Sequence, residues 1–149
     1  MKEETNPMDK FDFLIGTWKL EYTVPKSQFS EADSGEGNGV FKRVLNDRYV
    51  TFDYHSKLSG GEGSAHAIFA WDEKSKIYRF WWFEDSGAFM QATCNFLDEN
   101  TLCLNWHDSI LVQTFSRTEN GNVVLEMRYP KNKTEYEIVL KVTFVRKTN

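Results

Sequence analysis

From Gly16 onward the chain alternates apolar and polar side chains in short runs, each closed by a turn signal. Trp18, Leu20 and Tyr22 alternate with Lys19 and Glu21, and Tyr136, Ile138, Leu140, Val142 and Phe144 alternate with Glu135, Glu137, Val139, Lys141 and Thr143. A period of two places every second side chain on one face of a strand. Runs of this kind, recurring at intervals of about 8–15 residues, are the pattern of an all-β sandwich or barrel. The alternation predicts ten strands, over roughly 16–24, 37–45, 48–58, 63–72, 77–84, 88–97, 101–107, 110–118, 122–129 and 134–147. Ahead of them, Pro7 to Ile15 carries Met8, Phe11, Phe13, Leu14 and Ile15 and reads as a short helical or 3-10 segment with an apolar side. Pro25 to Glu36 is polar, contains Gly and Ser, and reads as a loop over one barrel mouth.

Each turn implies a register, and a correct register pairs apolar residues across strands on one face. A turn at Asn46-Asp47 pairs Phe41 with Phe52 and Arg43 with Val50. A two-residue turn at Gly60-Gly61 pairs Phe52 with Phe69, Tyr54 with Ala67, and His55 with His66. The Glu73–Lys76 loop pairs Trp71 with Tyr78, Phe69 with Phe80 and Ala67 with Trp82. The Asp85–Gly87 loop pairs Trp82 with Met90 and Phe80 with Ala92. The Asp98–Asn100 loop pairs Phe96 with Leu102, Cys94 with Leu104 and Ala92 with Trp106. The Pro130–Lys133 turn pairs Met127 with Tyr136, Leu125 with Ile138 and Val123 with Leu140. One apolar face runs through all of these pairs. A sheet with one apolar face must bury it, and ten antiparallel strands do so by curling into a barrel, which also removes the exposed edges. The expectation is an all-β, ten-stranded, up-and-down antiparallel barrel forming one domain over residues 1–149, with the helical segment closing one end.

Composition narrows the function. Aromatic residues make up 15% of the 149 residues, and aromatics both favour strands and line ligand cavities. The net charge of −4, with no basic run, argues against nucleic acid as a partner. Met1-Lys2-Glu3-Glu4-Thr5 lacks the apolar core of a signal peptide, and no stretch is apolar and long enough for a membrane span. The expected location is cytoplasmic. Cys94 falls inside and Cys103 outside, so the two are not expected to bond.

The inward face supplies the candidate ligand contacts: Tyr22, Phe52, Tyr54, Phe69, Tyr78, Phe80, Trp82, Trp106 and Tyr136. Trp71 points the same way. Arg43 is the sharpest candidate, because an inward guanidinium must be paired and can grip a ligand carboxylate bidentately; snorkelling to the mouth or pairing with an internal carboxylate is the alternative. Gln113 and Arg117 depend on the turn at Asn120-Gly121: a two-residue turn faces Val112, Thr114 and Ser116 inward, whereas a three-residue loop faces Leu111, Gln113, Phe115 and Arg117 inward. His55, His66 and Asp53 fall on the outer face and read as solvated surface groups rather than a metal site, and His107-Asp108 at a strand end has no implied nucleophile. Ile68, Ala70, Ile77, Trp81 and Phe83 form an outer apolar patch, from which a homodimer through the fourth and fifth strands is expected.

Gly16-Thr17-Trp18 after a short helical segment resembles the Gly-x-Trp signature of lipocalin-like (calycin) barrels. The resemblance implies that Trp18 closes the barrel floor and that Arg146, in the terminal Phe-Val-Arg-Lys, stacks on it. With Leu14-Ile15 before that signature, Ala70-Trp71-Asp72, and Tyr78 to Trp82 followed by Asp85-Ser86-Gly87, the chain resembles an uncharacterised bacterial family of ten-stranded lipocalin-like domains. Members of such folds mostly bind small hydrophobic molecules. A sister group binding haem carries Gly-x-Trp-x-Gly-x-Gly, which Gly16-Thr17-Trp18-Lys19-Leu20-Glu21 does not match, and no His follows His107. The expected function is binding of a small hydrophobic or aromatic ligand, with any acidic head group at Arg43, and with no cofactor or metal. A haem-binding or isomerase-type enzyme using the same cavity, and a ligand-free structural or interaction module, are the competing readings.

Overall fold

The computed structural model describes residues 5–147; Met1–Glu4, over which most of the signal-peptide reading falls, lie outside the described residues. The strands are β1 (Gly16–Val24), β2 (Asp33–Val44), β3 (Tyr49–Leu58), β4 (Gly61–Asp72), β5 (Ile77–Glu84), β6 (Phe89–Asp98), β7 (Thr101–Trp106), β8 (Val112–Arg117), β9 (Val123–Pro130) and β10 (Tyr136–Arg146). Each pairs antiparallel with its neighbours in sequence, and β1 pairs with β10 to close the barrel. The expected architecture is the observed one. Pro7–Leu14 forms a 3-10 helix, capped by Asn6, whose side chain accepts a hydrogen bond from the Met8 N–H.

Four of the expected registers hold: Phe41 faces Phe52, Trp71 faces Tyr78, Trp82 faces Met90 and Phe96 faces Leu102. Two do not. The β3–β4 turn is Ser59-Gly60, with Leu58 opposite Gly61, so Phe52 meets Ala67 rather than Phe69 and Tyr54 meets Ala65. The slip is an even number of residues, so the inward set survives it. It changes the outer pairs: Asp53, not His55, lies opposite His66, and His55 lies opposite Ser64. The β9–β10 hairpin is longer than expected. Leu140 faces Met127, Val142 faces Leu125 and Phe144 faces Val123, and an irregularity between Ile138 and Leu140 inserts one residue. A bulge inverts the alternation beyond it. Tyr136, expected inside, is therefore 56% exposed on the outer side, opposite Pro130.

β2 also begins earlier than its pattern suggested. Asp33 to Glu36 belong to the strand, so the mouth loop shortens to residues 25–32. Gly35, Gly37 and Gly39 occupy successive inward positions, opposite Tyr22, Leu20 and Trp18 on β1. They let β2 fold tightly against β3: a Cβ on Gly37 would collide with the His55 carbonyl oxygen, and one on Gly39 would sit 2.6 Å from the Phe52 ring. Glycine inside a strand commonly marks such a close approach.

The outer patch is less exposed than expected. Ala70 is buried, while Phe83 is 44% exposed and faces Phe89, itself 75% exposed. Cys94 is inside and Cys103 is on the other face under its neighbours, and both are free thiols. Among the described residues no helix is long and apolar enough to cross a membrane.

The glycine stripe yields a test of what sets the barrel's curvature. Gly37→Ala adds one methyl against strand backbone that cannot rotate away, and overpacking of this kind costs about 1–3 kcal/mol. Urea unfolding of the G37A variant should show a loss in that range; an unchanged midpoint would mean β2 and β3 separate there without cost.

Candidate ligand cavity

The two ends of the barrel are built differently. One is plugged by the 3-10 helix, which inserts Met8, Phe11 and Leu14 as fully buried side chains. The Phe11 ring lies 5.0, 5.3 and 5.1 Å from the rings of Phe69, Tyr78 and Phe96, and the Tyr78 hydroxyl donates to the Pro7 carbonyl at 2.6 Å. Trp18 is fully buried and donates its indole N–H to the Leu14 carbonyl at 2.8 Å. The Arg146 guanidinium lies 4.1 Å from the Trp18 ring centre and donates to the carbonyls of Ile15 and Phe13.

Arg43 belongs to this plug. Its guanidinium donates to Asp9 at 2.8 Å, to Asp12 at 3.1 Å and to the Asp47 carbonyl at 3.1 Å. The β2 alternation does turn it inward, but at the plugged end, where two helix carboxylates reach it first. It does not reach the cavity, and the expected anchor for an acidic head group is corrected accordingly. Phe69 and Tyr78 are likewise floor packing rather than cavity wall.

Above the floor lies a cavity of about 240 Å³. Of the residues expected to face a ligand, it brings together Tyr22, Phe52, Tyr54, Phe80, Trp82, Trp106 and Gln113. Gln113 and Phe115 are both buried, so the longer-loop alternative for β8 is the real one; Arg117 also falls on that side but ends exposed beside Asp98 at the plugged end. The remaining wall was not singled out in the sequence: Leu20, Met90, Leu125, Met127, Leu140 and Val142 are prominent in it. Their alternation signalled an inward face, but nothing in the pattern distinguishes a side chain that fills the barrel from one that borders a void. Small and large side chains alternate around the barrel, with Ala67 between Phe52 and Trp82 and Ala92 between Phe80 and Trp106.

The polar groups in the wall are few and neutral. Tyr54 Oη accepts from the Trp82 indole N–H at 2.8 Å. Burial pushes the Tyr22 hydroxyl up to about 12, with a hydrogen bond from Ser56 opposing and Tyr54 adding to the rise, and burial also raises Tyr54. Both phenols therefore keep their protons at neutral pH. His55, His66 and His107 lie outside the cavity: His66 Nδ1 pairs with Asp53 at 2.5 Å and His55 Nδ1 with Ser64 Oγ at 2.7 Å, both on the outer face. The lining residues contain no Asp, Glu or His, and their titratable groups are the hydroxyls of Tyr22 and Tyr54. No group of three potential metal ligands occurs among the described residues.

The cavity lies toward the unplugged end. There the loop over residues 25–32 leans across the rim, with the Phe29 ring 4.6 Å from Tyr129 and Gln28 donating to Glu137 at 3.0 Å. A wider depression of about 760 Å³ lies outside the floor between Asn46 and Trp71, open to solvent; the Trp71 indole there is taken up by Glu73 at 2.7 Å.

The profile of a family described as "Protein of unknown function (DUF1579)" matches residues 4–128. No curated protein matches the chain. Among solved structures, Rv2717c from M. tuberculosis is similar with a TM-score of 0.64 at 10% identity, over 97% of this chain and 100% of that one. A de novo designed fluorescence-activating β-barrel aligns over 97% of this chain and 100% of its own with a TM-score of 0.46 at 12% identity. At these identities the likeness to Rv2717c concerns the fold alone.

The buried phenols give the protein a predictable alkaline limit. A hydroxyl raised from 10.0 to about 12 on folding contributes stability that is complete below pH 10 and disappears as the pH climbs from 10 to about 12. Unfolding free energies measured stepwise across that window should fall for the wild type and fall less for Tyr22→Phe. Superimposable curves would mean that burial does not hold the Tyr22 proton.

Proposed function

This chain belongs to the DUF1579 family, and we propose that it holds a small hydrophobic molecule inside its barrel, in the manner of lipocalin-like proteins. The observation that carries this reading is the cavity of about 240 Å³ with an almost wholly apolar wall. An apolar void lined by well-packed side chains stays dry, and one of about 150 Å³ is enough for benzene. The volume here suits one or two fused rings. Removing apolar ligand surface from water contributes roughly 25 cal/mol per Å², and the aromatic rings supply faces and edges to complement a flat guest. The plugged floor and the looped rim leave entry to the end spanned by residues 25–32. Phe29 and Ile110, both well exposed, belong to the loops of that end and give an apolar molecule a surface to cross.

The Gly16-Thr17-Trp18 and Arg146 floor supports the lipocalin-like analogy, which concerns architecture. An acidic ligand is disfavoured, since Arg43 is engaged by Asp9 and Asp12 and a carboxylate in the cavity would be buried without a partner.

Thermal shift and native mass spectrometry with naphthalene, indole and biphenyl test the proposal. At least the smaller two should raise the melting temperature and give a one-to-one complex. Val142→Phe, which projects a ring into the void, should leave the melting temperature equal or higher while weakening binding at least tenfold. Failure of all three probes to bind, or binding that survives V142F, overturns the reading.

We also propose that the barrel pairs with a second copy through the outer face of β4 and β5. The exposed Phe83 and Phe89 face one another across β5 and β6, flanked by Trp81 and Ile68, and a closed barrel has no edge strand through which to associate. Light scattering should give about twice 17.5 kDa at micromolar concentration, and Phe89→Asp should halve it; a wild-type monomer overturns the dimer.

A further inference from the structure

The indole nitrogens at the barrel's centre and floor are satisfied, with one exception. Trp18 donates to a backbone carbonyl and Trp82 to the Tyr54 hydroxyl, each at 2.8 Å. Trp106 Nε1 is shut off from solvent and has no hydrogen-bond partner among the described residues. Gln113, only 6% exposed, borders the same cavity and takes part in none of the side-chain hydrogen bonds between described residues. The two are neighbours. Gln113 lies opposite Leu104, two residues from Trp106 on the same face of β7, a diagonal separation of roughly 7–8 Å.

A buried donor left unpaired carries its full desolvation cost, and each such group in a native protein calls for an explanation. Resting on the reading that the cavity binds a small hydrophobic molecule, we infer that its ligand is a neutral aromatic carbonyl compound whose oxygen accepts hydrogen bonds from the Gln113 amide and the Trp106 indole. A carbonyl oxygen has two lone pairs and accepts both donors, while the Gln113 Oε1 remains free to serve a ring N–H or O–H. Charge is excluded by the same wall: no cation borders the cavity to pair with an anion, and no carboxylate to pair with an amine. The raised Tyr22 and Tyr54 hydroxyls agree, because they stay neutral and donate rather than oppose an acceptor. The ring system of the ligand is placed by the neighbouring aromatics. Phe80 stands edge-on to Trp106 at 5.4 Å, and Phe52 stacks with Tyr54 at 4.7 Å, so the hydrocarbon part lies against rings while the oxygen reaches β7 and β8.

The test uses three probes of nearly one shape: tetralin, which is hydrocarbon only; 1-tetralone, which adds one carbonyl; and 1-naphthoate, which carries a charge. By calorimetry on the wild-type protein, 1-tetralone should bind about 5–10-fold more tightly than tetralin, the gain of a net hydrogen bond or more, and 1-naphthoate more weakly than either. In Trp106→Phe and Gln113→Leu the ratio of 1-tetralone to tetralin affinity should fall to about twofold or less. The bound ketone's carbonyl stretch should shift to lower frequency in the wild type and recover in the variants, a signature that loss of packing alone does not produce. If W106F does not fold, Q113L carries the test. Equal affinity of tetralin and tetralone in the wild type overturns the carbonyl assignment and leaves the hydrophobic-ligand reading standing. Tighter binding of 1-naphthoate overturns its neutrality. Binding of none of the three overturns both.

Discussion

The Arg146 guanidinium over Trp18 is the contact on which the rest of the barrel depends. It joins the last strand to the first at the seam where the sheet closes, since Trp18 and Arg146 are register partners, and its N–H groups reach the carbonyls of Phe13 and Ile15 at the end of the 3-10 helix. One side chain thus fixes closure and the position of the plug together. A cation over an indole contributes about 0.5–2 kcal/mol, and hydrogen bonds from a charged donor add to it. Gly16 makes the arrangement possible. Its φ of +138° is one that other residues rarely adopt, and a Cβ there would run into the Arg146 guanidinium. The Gly-x-Trp spacing is therefore a steric requirement of the seam.

Because the plug is held so firmly, the two ends of the barrel are free to differ. At the floor, Phe11, Phe69, Tyr78 and Phe96 pack ring against ring, and Arg43 fastens the helix from outside through Asp9 and Asp12. Burial by itself disfavours the charged guanidinium, and the hydrogen bond to Asp9 with the surrounding carboxylates more than offsets it. At the other end no helix among the described residues fills the lumen, and the cavity lies between the rings there. The asymmetry follows from where the one helical segment among the described residues lies, before β1 rather than between strands.

Much of this was legible in the alternation, and the exceptions have a common cause. A period of two survives any register error of an even number of residues. Misplacing the β3–β4 turn by one position therefore shifted the partners of Phe52 and Tyr54 but not their direction. A bulge is an odd insertion, and no single residue announces it; Tyr136 was lost from the interior because of one such residue near Val139. The start of β2 is the other exception. Gly35 resembles a loop residue in composition and falls in the expected mouth loop, whereas Gly37 and Gly39 fall in the expected strand, and their spacing of two continues back to Gly35 as an empty inward row. Arg43 lies on the predicted face but with Asp9 and Asp12 as its partners, because the sequence shows which side a residue takes but not how far along the barrel axis it sits.

That last distance also separates packing from binding. Seven of the residues expected to meet a ligand border the cavity, while Phe69 and Tyr78, identical in character and orientation, are consumed by the floor. What distinguishes the upper set is not hydrophobicity but an unfilled volume, bordered by Gln113, which makes no side-chain hydrogen bond among the described residues, and by Trp106, whose indole N–H is unpaired; Arg43 Nε at the floor is unpaired too but does not border that volume. A protein selected only for stability would gain by closing that volume with larger aliphatic side chains and by replacing Gln113 with Leu, since apolar replacement of an unpaired buried polar group is close to neutral or favourable. The polar groups kept in that uncharged wall are what the proposed ligand, a molecule with an acceptor of its own, would satisfy.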